Sequence, residues 1–188
     1  DLYGGYAAMT ATLFARQFER FGQTDAGEAV EPLADEVTLL GLPFDRHEGD
    51  CLGNVAELRR LLWALGKKAR AVYLSGEPYA SLAPTPQASA HLMLPWSQPS
   101  RRVLQRVCKQ WQRPLVATPV PVGFAGTVRW LREVAAALGV PDARVQALVD
   151  HELTACKRQA DLARKLLQGK TFSVFAEAPR LVGVVQLL

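Results

Sequence analysis

Cysteine is scarce in this sequence, and what there is lies scattered. Cys51, Cys108 and Cys156 are its 3 thiols, with no CxxC and no Cys–His pair at metal-ligand spacing. An odd, dispersed set excludes a disulfide framework and points to no zinc site. Reduced, packed thiols of a cytoplasmic protein are the expectation, with no metal or cluster held by this chain alone. No apolar run approaches the roughly 18 residues that a membrane span needs, and no basic-then-apolar leader is visible. Charge of one sign does not dominate either: 22 Lys and Arg stand against 18 Asp and Glu, a net +4. The two signs read as alternating along the chain, so no nucleic-acid partner is expected. GxGxxG, Walker, GxSxG, HExxH and kinase patterns are all missing, which removes the common nucleotide and hydrolase signatures.

What remains is a globular composition, 49% apolar over 188 residues. Met9, Leu13, Phe14, Phe18 and Phe21 recur at helical spacing and predict a first helix from about Gly5 to Phe21. An alternation follows. Strands are expected at Glu36 to Leu42, Ala69 to Leu74, Ala90 to Leu94 and Leu115 to Val122. Pro119 and Pro121 mark the last of these as an edge or a terminus. Helices are expected from Asn54, with Leu58, Leu61, Leu62 and Leu65 inward and Gly66 past its end. Others run from Ser100 to Gln112, with Val103, Leu104 and Val107 inward, and from Thr127 to Leu138. The Pro-broken stretch Pro78 to Ala88 leaves room only for a short helix. Strand and helix in turn indicate an α/β fold: a Rossmann-like parallel sheet with flanking helices.

From Asp142 to Leu167 runs one long helical pattern, read as a bridge. Thr171 to Ala176, with a helix start after Pro179, reads as the start of a second Rossmann-like unit. The expected organisation is a middle domain over residues 1–140, a bridging helix over 141–168 and a truncated next domain over 169–188. The first residue is Asp1, and the last eight, Leu181 to Leu188, are mostly apolar, which we read as an excerpt of a longer protein.

In a parallel sheet the loops after the strands carry function. After the first strand comes a dense polar turn with Asp45, His47, Glu48, Asp50 and Cys51. It offers either an acid–base or metal site, or caps for the next helix from Asp50 and Asn54. After the third strand, Trp96 either lines a pocket or packs on the next helix. After the fourth, Gly123 and Gly126 allow a sharp turn, and Thr127 either caps a helix or meets an anion at its amino end. His91 falls inside a strand, where a satisfied buried imidazole is expected, and His151 reads as solvated.

At this point a resemblance emerges. Gly41…Gly49-Asp50…Glu57-Leu58…Leu61-Leu62…Ala64-Leu65-Gly66 resembles the middle-domain signature of nitrogenase component 1-type oxidoreductases. So do Ala88…Leu92-Met93-Leu94 and Pro119…Pro121-Val122-Gly123…Gly126-Thr127…Trp130-Leu131. Gly169-Lys170…Val174-Phe175…Pro179…Val182-Gly183 is similar to the opening of that family's next domain, and Gly4-Gly5-Tyr6-Ala7 to the Gly-rich entry of the first helix. The family includes nitrogenase, its cofactor-assembly scaffolds and the dark-operative protochlorophyllide and chlorophyllide reductases.

The resemblance implies a subunit of three Rossmann-like domains in a heterotetramer with a homologous sister subunit. That complex takes electrons from an ATP-dependent iron–sulfur reductase. It also implies an iron–sulfur cluster, and a larger metallocluster or a tetrapyrrole substrate, in the whole complex. The Cys ligands of the bridging cluster belong to a preceding domain. Where the catalytic alpha-type nitrogenase subunit has a metallocluster Cys, this chain reads Leu94-Pro95-Trp96. That favours a beta-type, scaffold-type or tetrapyrrole-reductase-type subunit. Tyr6, Asp50, Trp96 and Thr127 are the residues expected to meet the cofactor or substrate, with no catalytic residue assigned and the isolated stretch inactive. The alternative is a nucleotide- or sugar-binding α/β domain such as half of a glycosyltransferase.

Overall fold

The computed structural model describes residues 2–41, 48–94, 98–174, 181 and 184–185. The chain divides into two compact units, Asp1–Thr118 and Pro119–Leu188.

The first unit contains α1 (Leu2–Phe21), β1 (Leu33–Leu40), α2 (Glu48–Ala64), β2 (Lys68–Val72), β3 (Ala88–Met93), α3 (Gln98–Gln110) and β4 (Leu115–Ala117). Its strands form one parallel sheet in the order β2-β1-β3-β4. The expected α/β layer is therefore present, and β4 is an edge strand, cut short by the two prolines that follow it. Between β2 and β3 the Pro-broken stretch forms two 3₁₀ turns, Tyr79–Leu82 and Thr85–Gln87.

Strand alternation sends side chains to two faces. On one face Leu40, Ala71, Tyr73 and Met93 pack with Ala11, Phe14 and Phe18 of α1 and with Leu104 and Cys108 of α3. The other face is left to α2, which buries Val55, Leu58, Leu61, Leu62 and Leu65. Each large apolar side chain buried in this way contributes about 1.5–3 kcal/mol. Gly66 ends α2 with φ +80°. Its amide donates to Trp63 O and that of Lys67 to Leu62 O, both at 2.8 Å, a Schellman closure that needs the left-handed residue.

Several helix expectations are corrected. In α1, Met9 is 42% exposed, and the buried stripe runs through Ala7, Thr10, Ala11, Phe14, Gln17 and Phe18. In α3, Val103 faces outward, because the inward stripe is set by Ser100, Leu104 and Cys108. Asn54 lies well inside α2 rather than at its start, since the helix begins at Glu48.

The second unit contains α4 (Gly123–Ala137) and α5 (Asp142–Leu167), the latter with the bounds read from the sequence. Trp130, Leu131, Val134 and Ala135 of α4 and Val145 and Val149 of α5 are buried, whereas Leu153, Leu162 and Leu166 are exposed. Thr171 to Val174, where a strand was expected, carry no regular structure, and Phe175 and Ala176 lie outside the described residues. Among the described residues no helix is long and apolar enough to cross a membrane.

Candidate functional site

The order of the strands locates the site. From β1 the chain moves outward to β2, then returns past β1 to place β3 on its other side. The direction of winding reverses between β1 and β3, and in open parallel sheets ligands bind outside the carboxyl ends of the strands at such a reversal.

Because β1 and β2 are parallel and joined through α2, the first turn of α2 must lie at that carboxyl edge. Asp50 is its third residue. The side chains of Glu48, Asp50 and Cys51 lie outside the described residues, as do Asp45 and His47. Neither Asp50 nor Asn54 occupies the residue preceding α2, so the capping role weighed for both is corrected. Trp96, after β3, lies outside the described residues.

α1 reaches the same edge. Phe18 packs on Trp111, just past the end of α3, and on His91 in mid-strand, with centroids at 5.4 and 5.6 Å. Four residues earlier, Phe14 packs on His91 and on Tyr73, just past the carboxyl end of β2. The helix therefore runs antiparallel to the strands. Tyr6 is eight residues before Phe14, roughly 12 Å further along the axis, on the carboxyl side. It is half-buried, and its carbonyl accepts the Thr10 hydroxyl at 3.0 Å. Tyr6 and the backbone of Asp50 thus belong to one edge of one unit.

Thr127 belongs to the second unit. α4 begins four residues earlier than expected, at Gly123, and Thr127 donates its hydroxyl to Gly123 O at 2.8 Å. This back-bond inside the helix replaces the expected cap. Val122 precedes the helix and makes no side-chain cap.

The turn after β2 is held by several hydrogen bonds among the described residues. Tyr73 N–H extends the ladder to Leu39 O at 3.0 Å, and Leu74 takes a left-handed φ of 60°. Ser75 donates to Val72 O at 2.9 Å. Arg59 of α2 grips Glu77 with both guanidinium nitrogens, at 2.5 and 3.0 Å. Gln17 Nε2 donates to the Tyr79 hydroxyl at 2.8 Å, tying α1 to the turn. Thr85 donates to Leu82 O at 2.7 Å, so the Tyr73 phenol supplies the proton in its 2.9 Å bond to Thr85. Burial pushes that phenol far above its usual range, and the Thr85 bond offsets only part of the shift. Tyr73 stays neutral and braces the turn. Sequence reading missed these long-range pairs, which no local pattern announces.

The other titratable groups of the core are equally withdrawn. His91 is fully buried, and burial, aided by the positive charge of Arg113, pushes its imidazole down to about 3. It is buried as expected but not satisfied: among the described residues neither ring nitrogen has a hydrogen-bond partner. Cys108 is buried and its thiol is pushed up to about 12. Cys156 is exposed on α5. No group of three or more His, Cys, Asp or Glu among the described residues can hold a metal ion. A protonated core thiol and a lone surface thiol do not fit an iron–sulfur cluster.

Comparison with known proteins agrees with this architecture. The chain is 28% identical over 156 residues to one of the subunits of the light-independent protochlorophyllide reductase of Methylobacterium radiotolerans. The match covers 83% of this chain but 28% of that relative's length. The sequence profile described as nitrogenase component 1 type oxidoreductase matches residues 1–188. The parallel sheet, its carboxyl-edge turn and the match along the whole chain together place this protein in the family of nitrogenase component 1 type oxidoreductases.

Proposed function

We propose that this chain is the middle part of one subunit of a metallocluster-dependent, ATP-driven reductase complex that acts on a tetrapyrrole or assembles a cofactor. The observation that carries the reading is the family match over residues 1–188, joined by the likeness to a protochlorophyllide reductase subunit. The stretch Leu94-Pro95-Trp96 supports it by offering no thiol at the end of β3, which disfavours dinitrogen reduction. A nucleotide- or sugar-binding domain is not favoured, because the family match leaves no part of the chain to it.

In this reading Tyr6, Asp50 and Trp96 are the residues of the first unit that meet the cofactor or substrate, and Thr127 of the second unit is a separate candidate contact. The chain supplies shape, an aromatic wall and hydrogen bonds. Electron transfer belongs to a cluster held by other parts of the complex. The partners are a homologous sister subunit and an ATP-dependent iron–sulfur reductase.

The test is anaerobic reconstitution of the full-length protein with its sister chain, an ATP-dependent iron–sulfur reductase and ATP. ATP-dependent loss of protochlorophyllide absorbance, or transfer of a metallocluster to an acceptor protein, supports the reading. Neither activity in a correctly assembled, cluster-loaded complex overturns it.

A further inference from the structure

Charge is spread less evenly than the whole-chain balance suggests. α3 carries Arg101, Arg102, Arg106 and Lys109 and no acidic residue. Arg102, Arg106 and Lys109 are exposed and spaced i, i+4, i+7, one stripe about 10 Å long. Five other cations of the unit are ion-paired, Arg16 with Glu19, Arg59 with Glu77, Arg60 with Glu57, Lys68 with Asp35 and Arg70 with Glu36, while Lys67 and Arg113 are engaged by backbone carbonyls. The α3 cations form no ion pair among the described residues. Like charges at this spacing repel, so the stripe is unfavourable until something acidic meets it.

The matching acid lies on the same unit. Between Phe21 and Arg46 the sequence has no Lys or Arg. Asp35 and Glu36 are taken by Lys68 and Arg70, whereas Asp25, Glu28 and Glu31 are exposed and form no ion pair among the described residues. They sit on and beside an ordered hairpin. Thr24 N–H donates to Glu28 O at 2.7 Å, Val30 N–H to Gly22 O at 2.9 Å, and Gln23 bridges Ala29. This hairpin is fastened to the foot of α3: Arg113 donates to Val30 O at 2.6 Å, and the Trp111 ring lies against Gly22.

We propose that the cationic face of α3 and the acidic hairpin at its foot form one self-complementary surface that pairs two copies of this chain. A two-fold interface requires each surface to carry both halves of the match side by side. Three acids joined to three exposed cations by the Arg113–Val30 bond meet that requirement. A foreign acidic partner would use the stripe and leave the hairpin unmatched. The pairing is electrostatic, so it weakens as salt screens it. It does not depend on which reaction the family member runs.

The test is sedimentation velocity of the 188-residue chain from about 5 to 500 μM, in about 20 mM and about 500 mM NaCl. The expected result is a concentration-dependent dimer at low salt and a monomer at high salt. The swaps R102E/R106E and D25K/E28K, each checked for folding by circular dichroism, should weaken the dimer about 100-fold at low salt. An equimolar mixture of the two should pair again. A monomer under all conditions overturns the proposal, as does one that binds an oligonucleotide through the same arginines. So does a dimer that survives salt and both swaps, as association through the exposed Leu162 and Leu166 of α5 would.

Discussion

His91 stands edge-on to Phe14, with ring centroids 4.8 Å apart and planes at 90°. Phe18 meets the same imidazole at 5.6 Å and 78°, so the ring is boxed by the two phenylalanines that hold α1 on the sheet. A neutral imidazole suits this place and a charged one does not.

The first prediction follows from that preference. The folded state holds His91 near 3, whereas the unfolded chain binds the proton near 6.5. Below pH 6.5 the unfolded state therefore binds more protons, and stability falls as pH falls towards 3. Between pH 7 and pH 5 the loss should be about 2 kcal/mol. Asp35 and Glu57 are lowered by Lys68 and Arg60, and their contributions disappear only at still lower pH. Urea melts of the protein and of His91→Leu check this. The variant should lose most of its pH dependence between 7 and 5, and an unchanged slope would contradict the assignment.

Two glycines should respond in opposite directions. A Cβ on Gly22 would meet the Trp111 ring at 2.8 Å, and Phe18 O closer still. Gly22→Ala should destabilise by about 1–3 kcal/mol. Gly53, in the exposed face of α2, has nothing within 4 Å of a Cβ. There alanine should stabilise by up to about 1 kcal/mol through helix propensity. Paired denaturant melts decide it, and equal shifts in one direction would count against the packing described for α1 and α3.

The Tyr73–Thr85 pair predicts an asymmetry. Tyr73→Phe removes the donor yet leaves Thr85 bonded to Leu82 O, so it should cost about 1 kcal/mol. Thr85→Val strands both the buried phenol and the Leu82 carbonyl, and should cost about twice that or more. Thermal melts that rank the two the other way would show that the proton runs from Thr85 to Tyr73.

How far these features could be read from the sequence varies by residue. Four strands, their parallel sense and the bounds of α5 were legible, because each rests on a periodicity that burial reinforces. The start of α2 was hidden by Gly49 and Gly53, which lower helix propensity, although the buried Val55, Leu58 and Leu62 outweigh it. Thr127 looked like a cap because of its residue type, yet Gly123 starts the helix without one. Met9 and Val103 are apolar residues one step off the inward stripe. Strand order, and with it the β1–β3 reversal, depends on long-range pairing that a local pattern does not encode. Of the candidate site, Asp50 was placed at the carboxyl edge by the parallel-sheet argument and Tyr6 only by the family resemblance, whereas the Arg59–Glu77 grip had no local signal.

The central claim is that the carboxyl edge between β1 and β3 meets the substrate or cofactor, and Tyr6 and Trp96 test it together. Tyr6→Phe and Trp96→Ala should be introduced into the full-length protein. Melting temperature and turnover or cofactor loading per folded molecule should then be measured in the assembled complex. The account predicts a loss of about ten-fold or more in turnover or loading, with melting temperatures nearly unchanged. Lower melting temperatures with turnover and loading intact would make these residues structural and contradict it.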